Sequence, residues 1–305
     1  MCPRRSNLKP DESSTYIVEP IHAHTQSVIL LHGLGDNGYN FGTLFLREGL
    51  TFSGCTLTQL LPGARFIFPT AKRRRSSAFR RAKLTQWFDI ARLPDPEYRK
   101  ETQLHGLAES SSQLVPLIHE EVDKVGAQNV ILGGISNGSA MSMSLLLALG
   151  LPLGGYIGLC SYLPYQKDIL EAVMERTDCK LDKDDVFAQD EEEEAEKSVE
   201  IRALEFERDL LCMEPFTDVI GCRALSTTPI FLGHGELDEK KPPALGQAAA
   251  ETLRAIGFDV TWKLYSELGH WYKVPDEIED IADFVKCRVG WRLAGDKALR
   301  GKAPP

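Results

Sequence analysis

The chain has 305 residues, 43% of them apolar, and a formal net charge of −9. This length suits one large α/β domain or two small ones, and the acidic balance speaks against a general nucleic-acid binder, which needs a net basic face. No apolar run approaches the roughly 20 residues of a membrane-spanning helix, and the scattered, odd-numbered cysteines, with no CxxC pair, argue for reduced thiols in a cytoplasmic protein and against a disulfide framework or zinc site.

The chain begins MCPRRSNLKPDESS, which lacks the apolar core of a signal peptide; residues 1–13 read as a polar, mobile tail. Cys2, near Arg4 and Arg5, is either a lipidation site or an ordinary tail residue. Residues 14–291 read as one domain. STYIVEP alternates enough for an edge strand. QSVILLHG, ARFIFP, NVILGG, GGYIGLC, TPIFLGHG and VTWKLY are short apolar runs stopped by Gly or Pro or bounded by polar residues, as expected of strands buried on both faces of a parallel sheet. Between them lie helical patterns. HGLAESSSQLVPLIHEEVDKVG keeps an apolar stripe despite Pro116. SAMSMSLLLALG follows the third of these runs. PPALGQAAAETLRAIG has prolines near its start and Gly257 past its end, and DEIEDIADFVKCRV closes the domain. Strands alternating with helices predict an α/β class: a mostly parallel, doubly wound sheet with helices on both faces. The rhythm breaks at about 166–225, where DKDDVFAQDEEEEAEK is too acidic to order itself. Its flanks, DILEAVMERT and VEIRALEFERDLL, read as helices that form either a lid or a surface excursion. Residues 292–305 read as a C-terminal tail.

The chemistry centres on GGISNGSA, Gly133–Ala140. Gly134-Ile135-Ser136-Asn137-Gly138 fits G-x-S-x-G, a pattern that chance can supply. Its position between an apolar strand and a helix raises its value, because a nucleophile elbow needs that strand–turn–helix setting. A serine nucleophile needs a base, and the base needs an orienting acid. Two histidines follow Ser136. His270, in YSELGHWY, hangs between a strand and the last helix and is the candidate base. His234, at a strand end in FLGHGELD, reads as a packing and hydrogen-bonding residue. Asp238 is the candidate acid, with Glu236 and Glu239 as alternatives in the same loop. LLHGLGDNGYNF follows the first strong strand and can supply one backbone N–H to an oxyanion, the second coming from Asn137. No metal-ligand spacing and no phosphate loop are present, so no cofactor or metal is expected.

LLHGLGD, FIFPTA with WFDI, GGISNGSAM, GYIGLCSYLP, PIFLGHGELD and YSELGH, in that order from about Ser27 to Val285, resemble the phospholipase/carboxylesterase/thioesterase family of α/β hydrolases, which includes acyl-protein thioesterases. The resemblance implies an α/β-hydrolase fold, Ser136 as nucleophile, Asp238 as acid, His270 as base, and the backbone N–H groups of Leu34 and Asn137 as oxyanion donors. It implies cofactor-free hydrolysis of a carboxylic ester or thioester through an acyl-enzyme, on an acylated small molecule or protein, with oligomeric state open. Alternatives are a carboxylesterase for small esters and, from another class, a degenerate hydrolase serving as a scaffold. The chain departs from the family pattern G-F-S-Q-G-G at Ile135, Asn137 and Ser139, and from G-L-S-G at Cys160 and Ser161.

AKRRRSSAFRRAK, Ala71–Lys83, stands in the loop between FPTA and WFDI. It would attract anionic substrates, headgroups or a peripheral membrane contact, and it also resembles a nuclear-import run; the alternative is a solvated loop partly neutralised by the acidic insertion. Trp87 is the candidate substrate contact, with core packing as its other reading.

Overall fold

The computed structural model describes residues 14–174, 197–216 and 225–295. The apolar runs become strands β1 (Tyr16–Val18), β2 (Gln26–Leu31), β3 (Ala64–Phe68), β6 (Val130–Ile135), β7 (Gly155–Leu159), β8 (Ile230–Gly235) and β9 (Val260–Tyr265), while β4 (Arg73–Arg75) and β5 (Lys83–Thr85) form a separate hairpin. The seven-stranded sheet runs β1-β3-β2-β6-β7-β8-β9, and only β1 is antiparallel to its neighbour.

Alternation along β2 explains its unbroken apolar character. Ile29 and Leu31 enter one core cluster and Val28 and Leu30 the other, on opposite faces of the sheet. Helices α1 (Gly38–Glu48), α2 (Leu57–Leu60), α3 (Leu104–Val125), α4 (Asn137–Ala148), α5 (Gln166–Met174), α6 (Val199–Leu210), α7 (Pro243–Ile256) and α8 (Asp276–Cys287) follow in chain order. Phe41 and Phe45 of α1 and Ile278 and Phe284 of α8 cover one face; Leu114 and Ile118 of α3, α4, and Leu253 of α7 cover the other.

Several helices have a clear local cause. Asn37 caps α1, its Oδ1 accepting the Asn40 N–H at 2.8 Å. α3 runs through Pro116 with Leu107, Leu114 and Ile118 buried; the lost backbone N–H is tolerated because the stripe of buried side chains outweighs it. Gly257, left-handed at φ 117°, ends α7. Every residue of α4 is buried, because it is covered on its outer side as well as by the sheet.

That outer cover is the described part of the insertion. Arg208 of α6 donates to the Ala148 carbonyl at the end of α4, at 2.8 Å, and Arg202 donates to Val173 O of α5 at 2.7 Å. The described parts of both flanks are therefore helical, as expected; α6 covers α4, and α5 packs against α6. The acidic run lies outside the described residues except for Lys197. At the other end, Trp291 is buried and Ala294 N–H donates to Leu60 O at 2.8 Å, so the residues just past the last helix pack on the domain.

Two expectations change. VTWKLY is an edge strand, not one buried on both faces: Lys263 and Leu264 of β9 are exposed, and a charged side chain there discourages edge-to-edge pairing. The basic run is not a plain loop. Arg73, Arg74 and Arg75 pair with Thr85, Leu84 and Lys83, and part of its charge is met by Glu109 of α3, which accepts from Lys72 and Arg74, each at 2.7 Å.

Candidate active site

β6 delivers its last residue, Ile135, straight into a sharp turn. Ser136 has φ 56° and ψ −119°, and α4 starts at Asn137. A non-glycine residue in that region costs about 1–3 kcal/mol. The surroundings hold it there: Ser136 N–H donates to Leu159 O at 2.8 Å, and Ala140 N–H returns to Ser136 O at 2.9 Å. The flanking glycines are required. A Cβ on Gly134 would stand 2.5 Å from Leu31 O, and one on Gly138 would stand 2.3 Å from the same oxygen. β2 and the elbow are packed backbone to backbone.

Two loops bring the partners. Asp238 sits in the turn leaving β8, and His270 in the loop between β9 and α8. His270 Nε2 lies 2.8 Å from Ser136 Oγ, and its Nδ1 lies 2.7 Å from Asp238 Oδ2. Asp238 is buried, and its other oxygen accepts the Lys240 and Lys241 N–H groups at 3.0 and 2.9 Å. Burial alone would raise this carboxyl's pKa. His234, His270 and the Lys241 N–H outweigh it and hold the group well below the usual carboxylate range. Glu236 and Glu239, the alternatives in the same loop, are exposed. His234 is buried, with Nε2 at 2.7 Å from Lys241 O and 3.2 Å from Asp238 Oδ2; it braces the acid's loop, in keeping with the packing role expected of it.

Leu34 and Asn137 both flank Ser136. As the first residue of α4, Asn137 has no intrahelical acceptor for its N–H. Leu34 follows Gly33, where a Cβ would lie 3.8 Å from Ser136 Cβ, so the two loops are in contact. Asn137's side chain ties the elbow to the WFDI block: Oδ1 accepts the Trp87 N–H at 2.9 Å. Trp87 itself is wholly buried. Its indole N–H donates to His32 O at 2.9 Å and its ring sits 5.1 Å from the His32 ring. The structure therefore places Trp87 in the core behind the site; as a substrate contact it is corrected, and core packing is the reading that fits.

Two residues of the site were not singled out from sequence. His32 is buried, its Nε2 accepts the Ala71 N–H at 3.0 Å, and its Nδ1 lies 2.7 Å from Gly33 O. The N–H at Nδ1 therefore holds the carbonyl of the residue before Leu34. Burial pushes the imidazole down to about 4, so it is neutral. Its place between an apolar strand and a glycine was the available signal. Lys241 is also buried. Its Nζ donates to Leu93 O at 2.6 Å and lies 4.0 Å over the Tyr162 ring. Burial lowers its pKa to about 7, against the pull of Asp238. No sequence pattern marked it.

A cleft of about 200 Å³ opens over Ser136 and His270, walled by Leu34, Phe79, Leu93 and Trp271, with Lys241 at its side. A larger cavity of about 740 Å³ lies under the basic hairpin, lined by Thr70, Lys72, Arg73, Lys83 and Gln113, away from the serine. The hairpin braces the loop that carries Leu34: Gly35 N–H donates to Thr85 O at 2.7 Å. The sequence carries no metal-ligand spacing, but the fold brings one ligand atom each from Cys160, Asp238 and His270 within 4.8 Å of one another.

The model of the phospholipase/carboxylesterase family matches residues 12–183, more than half of the chain. The chain belongs to this family. It is a serine hydrolase acting on esters or thioesters. Among relatives of this phospholipase/carboxylesterase member, acyl-protein thioesterase 1 of Gibberella zeae is 28% identical over 270 residues, covering 87% of this chain and 92% of that protein. Acyl-protein thioesterase 1 of Saccharomyces cerevisiae is 25% identical over 279 residues, covering 88% and 96%. Acyl-protein thioesterase 2 of Zea mays superposes with a TM-score of 0.62 at 23% identity, over 91% of this chain and 100% of that one. The fold is thereby established as that of the α/β hydrolases. Among the described residues no helix is long and apolar enough to cross a membrane.

Proposed function

We propose that Ser136, His270 and Asp238 are the catalytic residues of this hydrolase and that its substrates are acyl groups carried on proteins as thioesters or esters. The continuous relay from Ser136 Oγ through His270 to Asp238, at 2.8 and 2.7 Å, carries this reading. His270 Nε2 takes the serine proton as Oγ attacks the acyl carbonyl. Asp238 holds the imidazole with its proton on Nδ1 and offsets the charge that forms. The N–H groups of Leu34 and Asn137 receive the oxyanion, with the N-terminus of α4 adding partial positive charge. Water activated by the same histidine then releases the acid.

The relatives named as acyl-protein thioesterases support protein-borne acyl groups as substrates. A second reading, a carboxylesterase for short acyl groups, is favoured by the cleft: about 200 Å³ is below the ~300–1,000 Å³ usual for ligand sites. The exposed basic side chains of the 72–83 segment support a contact with anionic headgroups or acidic protein surfaces beside the cleft, at a cytoplasmic or nuclear location. Labelling by a fluorophosphonate, lost in Ser136→Ala, tests the nucleophile. A chain-length series of acyl esters against acylated peptides then separates the two substrate readings. Full activity in Ser136→Ala overturns the mechanism.

A further inference from the structure

We infer that Cys160, Asp238 and His270 form a binding site for a soft divalent cation such as Zn²⁺, and that occupancy switches the hydrolase off. The effect on activity rests on the catalytic reading above; the binding does not. Among the described residues these are the three metal-ligating side chains that converge.

Cys160 follows β7 directly in a left-handed conformation, φ 48°, which turns its side chain inward. It is buried, and its thiol donates to the carbonyl of Trp271, the neighbour of His270, at 3.2 Å. The family pattern has serine at this position, so the thiol is a feature of this chain.

One ligand atom from each residue lies within 4.8 Å of the others. Tetrahedral zinc with bonds of about 2.0–2.3 Å needs its ligand atoms about 3.3–3.8 Å apart. The thiol therefore has to move in by no more than about 1 Å, and the His270–Asp238 contact must open from 2.7 Å by about 0.6–1 Å. A Cβ on Gly269 would meet nothing within 4 Å, so that side of the His270 loop is open, while its other side packs on Gly235. His270 is the one ligand with an exposed edge, 16% against 0% for Asp238, so the cation enters from the cleft. Thiolate, imidazole and one carboxylate suit zinc and not magnesium or calcium, which prefer oxygen donors.

The proton balance explains the inhibition. Zinc displaces the thiol proton to solvent. His270 Nδ1 gives up its proton to become a ligand, and Nε2 takes one up, so the imidazole stays neutral and one proton is released in all. Nε2 then carries an N–H toward Ser136 Oγ and cannot accept the serine proton. The nucleophile loses its base without any group being chemically modified, and a chelator restores it.

The test compares wild type with Cys160→Ser, which restores the residue type of the family and keeps the exposed Cys212 and Cys287 as shared background. Zinc is titrated against ester hydrolysis, with magnesium as control. Binding is read separately from the near-ultraviolet thiolate-to-metal band of Co²⁺. The expected result is one metal per chain at this site, full inhibition of wild type reversed by EDTA, no effect of magnesium, and at least about 100-fold more zinc needed for Cys160→Ser, whose basal hydrolysis is retained. Equal zinc sensitivity of the two proteins overturns the proposal, as does the absence of a cobalt–thiolate band from wild type. If neither protein hydrolyses esters without metal, the catalytic reading has failed. The cobalt band, present in wild type and missing from Cys160→Ser, still decides the metal site. Cys160→Ala serves in the same comparison should Cys160→Ser lose the wild-type circular dichroism.

Discussion

Ser139 and Ser161 hydrogen-bond to each other at 2.8 Å behind the elbow, at two positions where the family pattern has glycine. Tyr156 joins them: its hydroxyl donates to Ser139 O at 2.7 Å and stands 3.0 Å from Ser139 Oγ. The two departures are one paired substitution. Each hydroxyl has the other as a buried hydrogen-bond partner. Ser139→Ala and Ser161→Ala should each cost about 1 kcal/mol, as a lost buried hydrogen bond does. The double variant should cost less than the sum, with a coupling of at least about 0.5 kcal/mol. Urea unfolding of the four proteins measures it, and strictly additive losses would show the pair to be independent.

His32 makes the fold sensitive to acid. Its pKa falls from an ordinary 6.5 to about 4 on burial. Between those values the unfolded chain binds the extra proton, so this group's stability contribution is complete above 6.5 and is lost as pH falls through 4. A difference of this size corresponds to about 3 kcal/mol at most. In His32→Gln the stability lost between pH 7 and pH 4 should shrink by a part of that. Hydrolysis should also slow at pH 7, because the carbonyl before Leu34 loses its donor. Denaturant midpoints at the two pH values check the first claim; a variant with the wild-type pH slope refutes it.

Glu277 acts with the opposite sign. It is buried at the start of α8, with Oε2 accepting the Lys273 N–H at 2.8 Å. Burial raises its pKa from 4.5 to about 8. The folded state holds the extra proton, so stability is full below 4.5 and is lost as pH rises through 8. Glutamine mimics the protonated form. Glu277→Gln should match wild type near pH 5 and exceed it at pH 9 by a few kcal/mol, since each tenfold difference in proton affinity between folded and unfolded chain is worth about 1.4 kcal/mol. Thermal unfolding at pH 5 and pH 9 reads the difference, and equal loss in both proteins above pH 8 would rule out Glu277 as the source.

The parts of the fold that were legible share one physical signature. β2, β6, β7 and β8 are buried on both faces, so their apolar runs are unbroken and stop abruptly. Ser136, Asp238 and His270 were legible because each follows such a run or the edge strand β9. The hairpin β4–β5 was not, because Arg73, Arg74 and Arg75 carry no alternation and are held by pairing and by Glu109 instead of by a core. α1 is hard to see inside the glycine-rich LLHGLGDNGYNF, although Asn37 caps it and Phe41 and Phe45 are spaced for one face. Lys241 and the convergence of Cys160 on Asp238 depend on distant segments meeting, which no local pattern records.

Asp238→Asn isolates the electrostatic part of the relay. The Oδ1 position accepts two backbone N–H groups, from Lys240 and Lys241. An asparagine must keep its carbonyl oxygen there, which puts its NH₂ where Oδ2 now faces His270 Nδ1 at 2.7 Å. A donor in that place demands a lone pair on Nδ1 and moves the imidazole proton to Nε2, so the histidine can no longer accept from Ser136. The geometry is kept and the tautomer is wrong. The kcat for ester hydrolysis should fall by about 10⁴, the size seen when a triad acid is made neutral in other serine hydrolases, with KM little changed. Glu236→Gln and Glu239→Gln, both at exposed positions, should leave kcat within about twofold, as surface changes do. Steady-state kinetics on a chromogenic ester with all three variants decides the assignment: a kcat within about tenfold of wild type in Asp238→Asn would remove Asp238 from the relay.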